Sequence, residues 1–363
     1  MPAETPAETP ADMHSTAPVS TSPSGPPSES AAAPRRGAGR LPAALAARLR
    51  LPLVAAPMLH VSGPELVGAA CAAGVIGAFP TANARSADEL DDWLGTLGER
   101  LRGSNGAAPA PFCPNLIIRQ VRLAQDLECL VRHRVELVIT SVGSPAEVIG
   151  PLRAVGCLVF ADVATLHHAE KAIDAGVDGL VLLGAGAGGQ TGWLNPLAFV
   201  RAVRQRFDGP VVLAGGIADG AALWAAQVLG ADLAYMGTKF IATDESRAEA
   251  AYKRMLVDAS ADDVLLTRAF TGLPTSMLRP SIVAAGLDPD RLDEQVRVPE
   301  AAELWGGKSP GVGPKRWTGI WSAGHSVVGV QRIDAVAALV ERTLAEYQAA
   351  RATTAHELGL ASR

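Results

Sequence analysis

The chain has 363 residues, 48% of them hydrophobic and only 4% aromatic, with a formal net charge of −5. An acidic balance argues against a nucleic-acid binder, which shows a basic domain or stripe, and no run of about 18 apolar residues suggests a membrane span. Four scattered cysteines (Cys71, Cys113, Cys129, Cys157) form no CxxC pair and no metal-ligand spacing, so neither a disulfide scaffold nor a metal site is expected.

Residues 1–38 open with the tandem repeat PAETPAETP and continue in Ser, Pro and Ala. Such a segment buries too little apolar surface to offset its ordering entropy and reads as a disordered tail. It carries Glu4 and Glu8 and no apolar signal core, which with the free cysteines points to a cytoplasmic protein. Residues 41–49 suit one short helix.

From Leu51 short apolar runs alternate with helix-like segments. The runs are Leu53–Met58, Val75–Pro80, Phe112–Ile118, Leu137–Ser141, Cys157–Val163, Gly179–Gly184, Pro210–Ile217 and Leu233–Thr238. The segments between them have helical spacing, and several end in glycine, as at Gly74, Gly176 and Gly230. Strands apolar on both faces and separated by helices predict a parallel sheet covered by helices. Eight such repeats match a (β/α)8 TIM-type barrel over residues 39–258; a doubly wound open sheet is the alternative. Residues 259–320 break the period and read as a small inserted cap region. Residues 321–363 then supply a loop and a long amphipathic helix that completes the barrel.

Barrel chemistry sits at the C-terminal ends of strands. The sixth run ends in GAGAGGQTG at 184–192, the seventh in AGGI at 214–217 and the eighth in MGT at 236–238. Glycines at two consecutive strand ends expose backbone N–H groups and suit a phosphate cradle, with Thr238 adding a hydroxyl; tight turns alone are the plainer reading. GAGAGGQTG lacks the GK[ST] ending of a Walker loop. It also lacks the later acidic residue of a dinucleotide fingerprint.

These pieces, AAPM at 55–58, PNL at 114–116, HHAEKAIDAGVDGLVL at 167–182, AGGQTG at 187–192, LAGGIADG at 213–220 and YMGTKFIAT at 235–243, together resemble the nitronate monooxygenase family. Its relatives include FMN-dependent enoyl-ACP reductases and NADH:quinone reductases. The resemblance implies FMN as cofactor. Pro57 and Met58 would stand near the isoalloxazine, although Met58 also suits a plain core position. Asn115 would approach the ring or ribityl chain; Gly188, Gly189 and Gln190 would line the flavin. Gly215, Gly216, Gly237 and Thr238 would hold the phosphate.

The chain departs from the family at two places. AGGQ stands where the family has AGGH, whose His is assigned as acid/base; Gln190 exchanges no proton near neutral pH and is left to orient a substrate oxygen or flavin carbonyl. The late segment WSAGHSVVGV at 321–330 carries His325 where the family often has Gln. His325 is therefore expected to reach the flavin face as replacement acid/base, or else to be a surface residue. Asp162 stands where some relatives carry Lys. A carboxylate there would repel a reduced, anionic flavin unless turned away or paired, so Asp162 and Ser141 are read as substrate contacts. His167 and His168 read as helix-capping or surface residues, and Arg279, Lys315 and Arg316 as exposed charges or contacts for an anionic substrate.

The implied function is oxidation of a nitronate with O2. The alternatives are NAD(P)H-dependent reduction of a quinone or enoyl thioester, and a flavin-binding pathway protein with little catalysis. Small-molecule substrates are the expected partners, with no nucleic acid and no membrane.

Overall fold

Eight strands close into a barrel, each beginning within one residue of its predicted run. The structure, a computed structural model, describes residues 40–102, 108–295 and 319–360. The tail expected over 1–38 lies outside these residues, as do Lys315 and Arg316.

The strands are β1 (Leu53–Ala55), β2 (Ile76–Pro80), β3 (Phe112–Ile117), β4 (Leu137–Ser141), β5 (Leu158–Val163), β6 (Gly179–Leu183), β8 (Val211–Ala214) and β9 (Leu233–Met236). The two-residue β7 (Gly189–Gln190) lies between β6 and β8 in sequence but outside the barrel. All barrel neighbours run parallel, and β9 returns to β1 with Leu53 beside Ala234 and Ala55 beside Met236. The open sheet considered as an alternative is thereby excluded.

The runs at β1, β8 and β9 stop short of the predicted ends. Pro57–Met58 and Gly215–Ile217 leave the ladder and become loops, and after Gly237 the chain turns into the short helix Thr238–Ile241. Inward positions below them are filled by Val54, Ile76, Ile139, Phe160, Val181 and Leu233, so the barrel is packed rather than hollow. A larger aliphatic layer joins the outer strand faces to the helices, with Phe79, Phe199 and Phe240 among its fully buried rings.

The helix Leu166–Ala175 is capped by Thr165 Oγ1, which accepts from His168 N at 3.0 Å. His167 and His168 are exposed at its start. The helix Gly220–Leu229 packs against the long C-terminal helix Val336–Glu357, with Trp224 edge-on to Tyr347 at 6.2 Å. Arg204 and Asp232 form a buried ion pair at the N-terminal end of the barrel. Asp232 also accepts from Val211 N at 2.8 Å, and Arg204 Nε donates to Gly230 O at 2.7 Å, which ties the start of β8 to the start of β9.

Beyond the barrel, β10 (Val264–Thr267) and β11 (Thr275–Leu278) form an antiparallel pair. Strand β11 also pairs antiparallel with β7, Thr275 opposite Gln190 and Ser276 opposite Gly189. The small sheet has its own core of Phe270, Met277, Ile282 and Ile320.

Candidate active site

A cavity of about 180 Å³ opens at the C-terminal end of the barrel, where the trimmed strand ends converge. Its floor is set by side-chain alternation. On β5 this turns Leu158, Phe160 and Asp162 toward the barrel interior, with Asp162 uppermost. The same rule brings Asn115, Ser141 and Tyr235 to the cavity from β3, β4 and β9. Asn115 is 5% exposed; its Nδ2 donates to Asp162 Oδ2 over a long 3.5 Å, and its Oδ1 accepts from Ser141 Oγ at 3.1 Å.

Three loops make the walls. The first carries Pro57 and Met58; Met58 N donates to Ser62 Oγ at 3.1 Å, and Met58 O accepts from Asn83 Nδ2 at 2.9 Å. The second is Gly186–Gln190, pressed against the late segment. A Cβ on Gly188 would stand 2.7 Å from Gly324 N, so backbone meets backbone there without side chains between. The third wall joins Gly215–Gly216 to Gly237–Thr238. Gly215 and Gly216 hold φ of 110° and 74°, a left-handed turn that favours glycine, and a Cβ on Gly216 would meet no atom within 4 Å. Thr238 Oγ1 accepts from Gly324 N at 2.9 Å, leaving its own hydrogen free to donate. Val142, also in the wall, holds a φ of 52°, a strained conformation for a β-branched residue and of a kind that gathers at functional sites.

The roof comes from Tyr252 and from Trp321, Ser322, Ala323 and Ser326. Tyr252 and Trp321 stack with centroids 5.0 Å apart, and the Tyr252 hydroxyl donates to Ser322 O.

Every residue expected to bind the cofactor thus lines this one cavity, together with Asp162 and Ser141. His325 does not. Its N–H donates to Gly186 O at 2.9 Å and starts a 3-10 turn, which leaves the imidazole exposed on the outer side of Gly186. The expected reach to the flavin face is therefore corrected: among the described residues no histidine lines the cavity. Arg279 pairs with Asp290 at 2.9 Å and is likewise absent from the lining.

Sequence reasoning missed four residues. Tyr235 was legible from alternation with Leu233. Tyr252 and Trp321 come from segments whose placement needs the tertiary fold. Lys239, 5% exposed, donates to Ala218 O at 2.8 Å and clamps the loop after Gly216 to the loop after Gly237. Burial pulls its ammonium below the ordinary lysine range.

The electrostatics of the floor are unusual. Burial pushes the Asp162 carboxyl up to about 7, and the Asn115 hydrogen bond acts in the opposite direction. Burial also raises the Tyr235 hydroxyl well above its usual value. Asp162 Oδ1, Tyr235 Oη and Gln190 Nε2 are buried and have no hydrogen-bond partner among the described residues. Unpartnered polar atoms of both donor and acceptor type around an open space suit a ligand with a polar, planar edge.

Residues 108–346 match the family model described as nitronate monooxygenase. A curated nitronate monooxygenase from Paraburkholderia phytofirmans is 29% identical over 279 residues, covering 66% of this chain and 76% of its own. The (3aS,4S,5R,7aS)-5-hydroxy-7a-methyl-1-oxo-octahydro-1H-indene-4-carboxyl-CoA dehydrogenase of Rhodococcus jostii is 30% identical over 235 residues, and the match spans 64% of each chain. The solved nitroalkane oxidase of Streptomyces ansochromogenes superposes with a TM-score of 0.68 at 28% identity, over 85% of this chain and 99% of that one.

Proposed function

The chain belongs to the nitronate monooxygenase family of flavin-dependent oxidoreductases, and from that premise we propose that it binds FMN in the barrel-end cavity and oxidises a nitronate with O2. The observation that carries this reading is the convergence of the three glycine loops on a cavity ringed by unpartnered polar atoms. A Cβ on Gly216 would point into open space, and one on Gly237 would stand 3.5 Å from Ala56 Cβ, so added side chains there would fill volume a ligand can use.

When bound, FMN supplies the redox chemistry, taking electrons from one substrate and delivering them to another. The chain's own residues bind, orient and exclude water. The backbone N–H groups at 215–216 and 237–238, with the Thr238 hydroxyl, hold the phosphate. Lys239 fixes the two cradle loops to each other and sets a positive charge behind them. Pro57, Met58, Asn115, Gly188 and Gly189 line the cavity and would hold the ring, the two glycines leaving room for close approach. The stacked pair Tyr252 and Trp321 closes the roof against water.

Gln190 presents an unpartnered amide and removes no proton. It orients a substrate oxygen, and the substrate must therefore arrive already deprotonated, as a nitronate rather than a neutral nitroalkane. The same residue favours a second reading, NAD(P)H-dependent reduction of a quinone or enoyl thioester, which needs no base on this loop. The four free cysteines, all buried, suit a reducing compartment, and we place the reaction in the cytoplasm. Among the described residues no helix is long and apolar enough to cross a membrane.

The test is anaerobic mixing of the purified yellow protein with nitronate and, separately, with NAD(P)H. Flavin bleaching by nitronate, with nitronate-dependent O2 uptake once air is admitted, supports the first reading. Bleaching by NAD(P)H alone supports the second, and reaction with neither supports a binding protein. A colourless chain that takes up no added FMN overturns all three.

A further inference from the structure

The polar side chains at the cavity floor are unequally satisfied. Asn115 uses both ends of its amide, accepting from Ser141 and donating to Asp162. Among the described residues Asp162 receives only that one long contact, and its Oδ1 receives none. The Tyr235 hydroxyl, on the strand that closes the barrel, has no partner among these residues either.

An ionised carboxylate in such a place would need a cation or several N–H donors. Among the described residues neither is present: the amide of Asn115 is the sole hydrogen-bond donor, and no basic group offsets the desolvation of Asp162. The titratable groups around it are the Tyr235 hydroxyl on β9 and the Cys113 thiol one inward position below Asn115 on β3; burial raises both. The flanking strands β4 and β6 present Ser141 and Leu183 at the cavity. The Tyr235 hydroxyl and the Cys113 thiol therefore stay uncharged and supply no positive charge to a carboxylate, and a carboxyl group that keeps its proton becomes a hydrogen-bond donor.

We propose that Asp162 meets the cavity's occupant as a neutral carboxylic acid, and that its O–H, together with the Tyr235 hydroxyl, grips acceptor atoms of the flavin ring. This rests on the FMN reading above and assigns Asp162 to the cofactor rather than to the substrate. A carboxylate at this position would repel negative charge gathering on the ring; the acid receives it. The donor that the acid supplies disappears as pH rises.

Two measurements on the full-length chain and its D162N variant test this. First, infrared difference spectra of the flavin-free proteins across pH 5–9 should show a protonated carboxyl band in the wild type that titrates near neutrality and is missing from D162N. Second, the FMN dissociation constant of each is measured across the same range by flavin fluorescence. The variant keeps a donor but cannot ionise, and it retains the contribution of the FMN phosphate. The ratio of wild-type to D162N dissociation constants should be flat at low pH and rise up to about tenfold per pH unit above the ionisation of Asp162. A constant ratio, or no titrating band, overturns the proposal while leaving FMN binding intact. Failure of both chains to take up FMN at any pH overturns the flavin reading of the cavity and the grip with it.

Discussion

The hydroxyl of Thr238 accepts a hydrogen bond from the backbone N–H of Gly324 at 2.9 Å, joining the end of the last barrel strand to a segment 86 residues later. One side chain thus completes the proposed phosphate cradle and anchors the strip that roofs the cavity. Replacing Thr238 by Val should remove both functions and raise the FMN dissociation constant at least tenfold, about 1.4 kcal/mol or more. Ser should restore binding to within a few-fold. Fluorescence titration of each variant reads the difference.

Gly188 faces Gly324 backbone to backbone, and a Cβ there would lie 2.7 Å from the Gly324 nitrogen. Neither side has a flexible end that can move away. G188A should destabilise by roughly 1–3 kcal/mol, the usual range for overpacking, and lower Tm by several degrees. An unchanged Tm with normal flavin content would show that the two segments are not in contact.

Stability should depend on pH through Asp162. Its folded carboxyl is raised to about 7, while the unfolded group titrates near 3.9. The folded chain therefore holds this proton longer than the unfolded one. The resulting stabilisation is full below the ordinary carboxyl range and is lost as pH rises to about 7. D162N should match wild type in Tm near pH 4 and exceed it at pH 8, measured on flavin-free protein by thermal unfolding. Parallel Tm curves across that range would contradict the burial of this carboxyl.

His325 lies outside the cavity, exposed, and held through its backbone to Gly186 O. H325A should leave the rates of flavin reduction and reoxidation within about twofold of wild type across the pH range. A tenfold loss with a vanished pH limb in stopped flow would return the imidazole to the chemistry.

The ion pair of Arg204 and Asp232 is buried, with side chains 5% and 11% exposed. R204M would strand the Asp232 carboxylate beside the start of β8 and should destabilise by about 3–5 kcal/mol. Denaturant unfolding of R204M measures this, and flavin spectra of the folded fraction should be unaltered, because the pair sits at the opposite end of the barrel from the cavity.

The barrel was legible because each of its strands is apolar on both faces while the intervening helices carry one apolar side. Glycine at the helix ends added punctuation: Gly176 and Gly230 do close their helices in the left-handed conformation. The strand ends were less legible. Pro57–Met58, Gly215–Ile217 and Gly237–Thr238 look like continuations of apolar runs, and only closure of the barrel shows that they leave the ladder. The glycine loops still identified the cavity, since strand-end position follows from chain order alone. His325 failed because a residue's side of a loop depends on local turn geometry: the Gly186 contact sends Ser326 inward and His325 outward. Tyr252 and Trp321 were invisible because their stacking joins residues 69 positions apart.

The two residues of β7 belong by sequence to the barrel loop that lines the cavity, yet by hydrogen bonding they are the third strand of the small antiparallel sheet, through Thr275 and Ser276. The cavity wall at Gly189 and Gln190 and the small sheet beyond the barrel are thereby mechanically coupled in this protein. Any exchange of residues 264–278 for another cap would have to carry its own partner for Gly189 and Gln190. A graft that ignored this ladder would shift Gln190 before it changed which substrates enter. In a lineage that diversifies by remodelling the cap, each new specificity would have to arise with a matching two-residue edge on the barrel.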